Sequence, residues 1–328
     1  MLSYRKLAMR VLGRPLHTGG GNDSPRPASQ RAAALVLTAA MLTTLTAPAF
    51  AETWDIEKGD ITVKAGDEGT NNVKQGDNDF VKDEGDTIIT GESKENTVTI
   101  DTSEGNVDVT FDDLKIDVSG KKEGDGSGDS PVDAGKAAVT VQGDHDVTIE
   151  LDGDNELKSG GHNAGLEKDG HESEGTLTIK DDKGKDGSLT AEGGDGGAGI
   201  GGGKESTGSN ITIRGGTIEA VGGSSAAGIG DGAGTEGREI DPDAPPSNPD
   251  NPNHIIISGD AEVEAKAGAS TGGKTAAIGG GDVGEIPNSA LSDDHHKVTG
   301  GSLTRYDPAG KKMEDYSYDL SLIHISEP

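Results

Sequence analysis

A short element, Ala followed by Ala or Gly and then by an aliphatic residue, recurs five times along the chain. Its copies lie at 137–139, 164–166, 198–200, 227–229 and 276–278. Runs of alternating apolar and polar residues stand ahead of the later copies, as in NITIRGGTIEA from Asn210 and HIIISGDAEVEA from His254. Alternation with a period of two is typical of half-buried strands. Self-similarity at intervals of about 30 residues indicates stacked repeats.

The spacing of the copies predicts a solenoid. Successive copies are 27, 34, 29 and 49 residues apart, and the longest interval holds EIDPDAPPSNPDNPN, with five prolines. Because proline cannot join a strand ladder, residues 234–253 are predicted to loop outward from one coil. Each repeat then supplies three short strands with Gly-rich corners. We therefore predict an all-β fold, a right-handed parallel β-helix over residues 96–305, in which Ile213 and Ile257 occupy equivalent inward positions.

The glycines of the repeated element also match a phosphate-binding motif. Gly197, Gly199 and Gly202 satisfy G-x-G-x-x-G, the spacing of a dinucleotide-binding loop. The residues that follow, KESTGSN, lead into another strand, whereas a phosphate site of this kind needs the N-terminus of a helix. These glycines are therefore predicted to be structural.

Residues 1–51 are predicted to be a signal peptide. Basic residues precede the apolar run AAALVLTAAMLTTLTA, which ends at Ala49-Phe50-Ala51, a typical cleavage signal. A membrane anchor is the alternative, but the run is shorter than the ~20 residues that a spanning helix needs. We expect cleavage after Ala51 and a secreted or extracellular protein. Attachment to the cell wall through a segment after Leu320 stays open.

The chain on either side of the repeats is interpreted separately. Residues 52–95 are predicted to form an N-terminal cap and the first coils, with Trp54 closing the first coil. Residues 306–328 are predicted to form a C-terminal hairpin and tail. The last part of this tail, SLIHISEP at 321–328, matches no earlier pattern and is interpreted as an artefactual extension.

The charge of the chain limits its partners. It has 29 Lys and Arg against 59 Asp and Glu, a net charge of -30. Such a polyanion repels nucleic acid and anionic lipid, so neither nucleic acid nor, after cleavage, a membrane is an expected partner. Divalent cations are expected partners instead. The chain has no Cys, so no disulfide stabilises the exported protein.

Carboxylates at predicted turns are the candidate metal ligands. Ca²⁺ prefers oxygen ligands, and we name as candidates Asp152 and Asp154 in ELDGDN, Asp181 and Asp182 in KDDKGKDG, and Asp195 in EGGDGG. Neither an EF-hand loop nor the Gly-rich nonapeptide of calcium-binding β-solenoids is present. Solvated turn residues that keep an exported protein soluble are the alternative for each of them.

Enzymatic activity is not expected. Arg214, Arg238 and Arg305 follow the predicted signal peptide and stand in unrelated sequence contexts, so no catalytic cation can be singled out. Carboxylates are so abundant that no pair stands out as a general acid and base.

Several motifs resemble one family. ETWDIEKGDITV, VTIELDGDNELKSG, AGIGGG and NITIRGGTIEA are similar to secreted β-helix repeat proteins of Gram-positive gut bacteria, of the Clostridia type, described as carbohydrate-binding-domain-containing. The likeness covers residues 52–305. It implies a right-handed β-helix that binds ions and plant or acidic polysaccharides.

The expected function is that of a secreted or cell-surface module that binds a polysaccharide or cell-wall glycan with help from Ca²⁺. A structural stalk or adhesin repeat without a small ligand is the alternative, and a polysaccharide lyase is a third and weaker one. One feature departs from usual sugar-binding proteins, because no Phe, Tyr or Trp occurs between Asp112 and Thr304. Sugar-binding faces generally stack rings on aromatic side chains, so this module is expected to use hydroxyls, amides and bridging cations.

Overall fold

The computed structural model describes residues 52–120, 135–168, 175–235, 255–270, 275–281, 284–285 and 296–313. The predicted signal peptide, the Pro-rich insertion after residue 235 and the tail after residue 313 lie outside these ranges. In the described part of the chain, no helix is long and apolar enough to cross a membrane.

The described elements are short strands and two 3₁₀ helices, Ile56–Lys58 and Asp67–Gly69. In chain order the strands are β1 (Thr53–Asp55), β2 (Ile61–Ala65), β3 (Asn71–Gln75), β4 (Val81–Asp83), β5 (Thr87–Ser93), β6 (Val98–Asp101), β7 (Val107–Asp117), β8 (Val139–Gln142), β9 (Val147–Asp152), β10 (Asp154–Lys158), β11 (Leu166–Lys168), β12 (Leu177–Lys180), β13 (Ser188–Glu192), β14 (Ile200–Gly201), β15 (Ile211–Ile213), β16 (Thr217–Val221), β17 (Ile229–Gly230), β18 (Ile255–Ile257), β19 (Glu262–Lys266), β20 (Ile278–Gly280), β21 (Gly284–Glu285), β22 (His296–Val298) and β23 (Ser302–Tyr306).

These strands form a parallel β-helix with three faces. Face 1 contains β9, β12, β15, β18 and β22, face 2 contains β10, β13, β16, β19 and β23, and face 3 contains β6, β8, β11, β14, β17 and β20. Strand β7 bends from face 1 to face 2, since it pairs with β9 through its first half and with β10 through its second. Each repeat contributes one strand to each face in turn, so the predicted parallel β-helix is confirmed.

The repeated Ala-Gly-Ile element marks the register of face 3. Its aliphatic residues pair directly from coil to coil, in the order Val139, Leu166, Ile200, Ile229 and Ile278, and all are buried. On face 1, Ile213 pairs with Ile257, and both side chains are buried in the same core. The predicted equivalence of these two positions is confirmed.

Steric constraints explain why a glycine follows the aliphatic residue in the later copies of the element. Gly201, Gly230 and Gly279 have φ of 132°, 129° and 121°, a region that residues with a side chain rarely adopt. Gly201 pairs with Gly230, which in turn pairs with Gly279. A Cβ atom on Gly201 would clash with the carbonyl oxygen of Gly230 in the next coil. The motif is therefore a corner of the solenoid, and no helix follows it among the described residues.

A small antiparallel unit precedes the repeats. Strand β3 pairs antiparallel with β2, and β4 pairs antiparallel with β3, so the three form a meander. The Trp54 indole Nε1 donates to the Asp83 carboxylate at 3.2 Å, and Trp54 packs against the buried core. At the other end, Tyr306 bridges antiparallel to Lys312 around a turn in which Gly310 N donates to Asp307 O.

Candidate functional site

A polar groove of about 430 Å³ lies on the outer side of face 1. Its floor is formed by outward side chains of β7, β9 and β12, because the inward residues of the same strands, such as Ile149 and Ile179, fill the core. The lining residues are Asp86, Thr87, Asp108, Val109, Thr110, Thr148, Glu150, Thr178, Lys180, Asp182, Lys183 and Arg214. Hydroxyl, carboxylate and cationic groups therefore face one space.

Glu150 is the buried charge of the groove. It occupies an outward position of β9 but is only 3% exposed, because loop 181–187 folds over it. Its Oε1 accepts the backbone N–H groups of Asp182 and Lys183 at 2.7 and 2.6 Å. Its Oε2 has the Lys180 ammonium as an ion-pair partner at 3.1 Å, without a hydrogen bond of good geometry. This carboxylate fixes the loop to the sheet.

Loop 181–187 is also held from within. Asp181 is buried, and its carboxylate accepts the backbone N–H groups of Lys185 and Gly187 at 2.8 and 3.1 Å. From the same loop, Lys183 Nζ reaches Asp86, the residue before β5, at 2.7 Å. This exposed ion pair crosses the groove at the end nearest β5. Loop 181–187, which shapes the groove, is therefore held partly by the hydrogen bonds of its own Asp181.

The cations of the groove differ in how far they are neutralised. Lys180 Nζ lies 3.0 Å from Asp182 Oδ2, and the hydrogen bond to Asp182, opposed by partial burial and supported by Glu150, raises the pKa of Lys180. The same contact lowers the pKa of Asp182. The Arg214 guanidinium is exposed and forms no side-chain hydrogen bond or ion pair with the residues that the structure describes. Arg214 is therefore a cation available to a ligand.

The five candidate metal ligands do not converge on one point. Asp181 and Asp182 belong to loop 181–187, where the first accepts two backbone N–H groups and the second pairs with Lys180. Asp152 lies beside Asp112 of β7, Asp154 accepts the Ser188 hydroxyl at 2.9 Å, and Asp195 is exposed at a turn before face 3. In the described ranges, no group of three or more His, Cys, Asp or Glu side chains could hold a metal ion. Calcium binding stays a prediction.

The sequence analysis missed the groove cations. It found Arg214 in a sequence context unrelated to those of the other arginines and did not place it beside other charged residues. In the structure the Arg214 backbone N–H bonds Ile179 O in the preceding coil, beside Lys180. The signal was present in three similar segments, VTIE, LTIK and ITIR, whose last residues are Glu150, Lys180 and Arg214. Aligning these segments by register would have brought the three charges together.

Comparison with known proteins agrees with the architecture. A family described as beta helix repeat matches residues 185–204 and 211–233, which contain the second and third strands of one repeat and all three of the next. No curated protein and no solved structure matches the chain. The fold and this match define a β-helix repeat protein.

Proposed function

We propose that this protein is a polysaccharide-binding module and that the face 1 groove is its binding site. The observation that carries the proposal is the composition of the groove, in which threonine hydroxyls line the floor and the exposed Arg214 guanidinium stands at one side. Sugars present many hydroxyl groups, and each needs a hydrogen-bond partner when it leaves water. Loop 181–187 is already held by Glu150, so the loop loses little entropy on binding.

Binding is favoured over catalysis by the state of the charged groups. A lyase needs a base that removes a proton from the sugar, but the raised pKa of Lys180 keeps its ammonium protonated. Glu150, the buried carboxylate, already accepts two backbone N–H groups and faces Lys180. These groups hold the loop, and their role in the proposal is structural.

Export and calcium belong to the same proposal. The signal peptide expected at 1–51 directs the module outside the cell, where polysaccharides are found. Assistance by Ca²⁺ is supported by the net charge of -30 and by the crowding of Asp112 with Asp152 and Asp113. The second candidate, a structural stalk, is favoured by the solenoid itself, because stacked coils form a spacer without any ligand.

A glycan array with the secreted protein, in calcium and in a chelator, tests the proposal. Arg214→Ala should weaken binding to any captured glycan by about ten-fold, since a charge-assisted hydrogen bond is lost. Lys115→Ala is the control, because it removes an exposed cation on face 2. Absence of binding to every glycan, with the protein folded, would favour the stalk. Equal losses in both variants would place binding outside the groove.

A further inference from the structure

A row of threonine hydroxyls follows the solenoid axis on face 1. Thr148, Thr178 and Thr212 pair directly in successive coils, and each is half-buried with its neighbours in the strand pointing inward. Neighbouring strands lie about 4.8 Å apart. The three hydroxyls therefore repeat at one fixed spacing in one direction.

Each threonine has a charged companion two residues later. Glu150 pairs with Lys180 in the next coil, and Arg214 follows them in the coil after that. Of these three charged groups only Lys180 and Arg214 are accessible, because Glu150 is buried under loop 181–187. A ligand that extends along the axis would meet one hydroxyl in each of the three coils, with a cation beside it in the coils of Thr178 and Thr212.

The row has a defined end on each side. In β7 the residue that pairs with Thr148 is Asp108, not a threonine. The ion pair between Lys183 and Asp86 also crosses the groove near β5. In β18 the residue that pairs with Thr212 is Ile256, which has no hydroxyl. The row of threonines is therefore three coils long.

We propose that a linear, extended glycan lies along the solenoid axis on this row, with one sugar unit on each of the coils of Thr148, Thr178 and Thr212. This inference rests on the proposed function and adds the orientation of the ligand, the number of subsites and the class of glycan. In an extended ribbon-like glycan, as in β-1,4-linked chains, the rise per sugar is close to the coil spacing of about 4.8 Å. Neighbouring sugars in such a chain face opposite ways, but each carries hydrogen-bonding oxygens on both edges of the ribbon, so successive sugars still reach successive hydroxyls. A glycan coiled into a wide helix cannot keep that register.

Oligosaccharides of increasing length test the inference. The probes are β-1,4-linked gluco-, xylo- and manno-oligosaccharides of one to six units, with α-1,4-linked malto-oligosaccharides for comparison, titrated by calorimetry into the secreted protein. We expect affinity for an extended series to rise about five-fold per sugar up to three units, as one net hydrogen bond per step implies. It should then level off, and the malto-oligosaccharides should bind more weakly.

Two variants examine the row itself. Thr178→Val keeps the shape and removes the central hydroxyl, so binding of the trisaccharide should fall about five-fold. Ile256→Thr adds a fourth hydroxyl in register with Thr212, so this variant should bind a four-unit chain more tightly than a three-unit chain. Thr99→Val is the matched control, because Thr99 is also half-buried and lies in a threonine row, with Thr62 and Thr140, on face 3.

The outcomes separate this inference from the function on which it rests. If no glycan binds in the array or in the titrations, the proposed function fails and the inference with it. If glycans bind but affinity ignores chain length, or Thr178→Val behaves like Thr99→Val, the axial arrangement is overturned while polysaccharide binding stands. Preference for the malto-oligosaccharides would also overturn it.

Discussion

Asp112 carries an unfavourable charge in the folded protein. Partial burial, together with the negative charges of Asp152 and Asp113, raises the pKa of its carboxyl. We expect Asp112→Asn to increase the melting temperature by a few degrees at neutral pH, because it removes this repulsion. Asp195→Asn, which removes the same charge at an exposed turn, should have little effect. A decrease with Asp112→Asn would mean that its carboxylate has a favourable partner.

The raised pKa of Asp112 also determines how its contribution to stability changes with pH. A carboxyl whose folded pKa is raised binds its proton more readily in the folded state, so its contribution to stability improves as the pH falls toward the ordinary Asp range near about 4. The advantage of Asp112→Asn over the wild type should therefore shrink between pH 7 and pH 4. Asp117 acts in the opposite direction, because the Ser119 hydroxyl lowers its pKa, and its contribution is lost as the pH falls.

Ile213 tests the register of the core at a single position. Its side chain is fully buried between Ile179 and Ile257 in the neighbouring coils. Ile213→Asp would bury a charge without a partner and should lower the free energy of unfolding by about 4 kcal/mol or more. Thr212→Asp, at the adjacent outward position, should lower the free energy of unfolding far less, as measured by chemical denaturation. Similar costs for both variants would contradict the assigned inward and outward faces.

At the scale of the element, loop 181–187 depends on Glu150. Glu150→Ala removes the acceptor of the Asp182 and Lys183 backbone N–H groups, so exchange of these two amide hydrogens should accelerate by about ten-fold or more. Glu150→Gln keeps an oxygen acceptor and should give an intermediate rate. Thr148→Ala, on the same strand, is the control. Unchanged exchange in Glu150→Ala would show that Asp181 alone holds the loop.

The strands of the repeats could be predicted because each repeat carries its signal locally. Alternation in ITI and TIEA and the glycine after each aliphatic residue are properties of neighbouring residues, and the same inward face follows from a period of two. The register from Val139 to Ile278 then follows from aligning the copies. The fold was accessible from sequence for this reason.

The groove could not be predicted in the same way. Burial of Glu150 depends on loop 181–187 folding back over the preceding coil, and the Lys183 to Asp86 ion pair joins residues 97 positions apart. Neither contact leaves a pattern in the adjacent sequence. Acidic turns such as ELDGDN were visible as candidate calcium ligands, but the register of the strands separates Asp152 and Asp154 from Asp195.

At the scale of the whole molecule, the balance of charge should make stability depend on cations. With 59 acidic against 29 basic residues, carboxylates in successive coils repel one another across about 4.8 Å. A divalent ion that binds only the folded arrangement stabilises it by mass action, whereas monovalent salt only screens the charges. We therefore expect millimolar Ca²⁺ to raise the melting temperature more than NaCl of equal ionic strength.

A pair of variants locates this calcium response. Asp152→Asn should reduce the increase in melting temperature from Ca²⁺, because Asp152 lies beside Asp112 and its negative charge helps to raise the pKa of Asp112. Asp144→Asn, at an exposed turn, should leave it unchanged. If the melting curves in Ca²⁺ and NaCl coincide, the acidic residues act only as solvated turn groups and the calcium part of the proposed function is wrong. Polysaccharide binding in the groove would then rest on Arg214 and the threonine row alone, and the chelator arm of the glycan array should leave it unaffected.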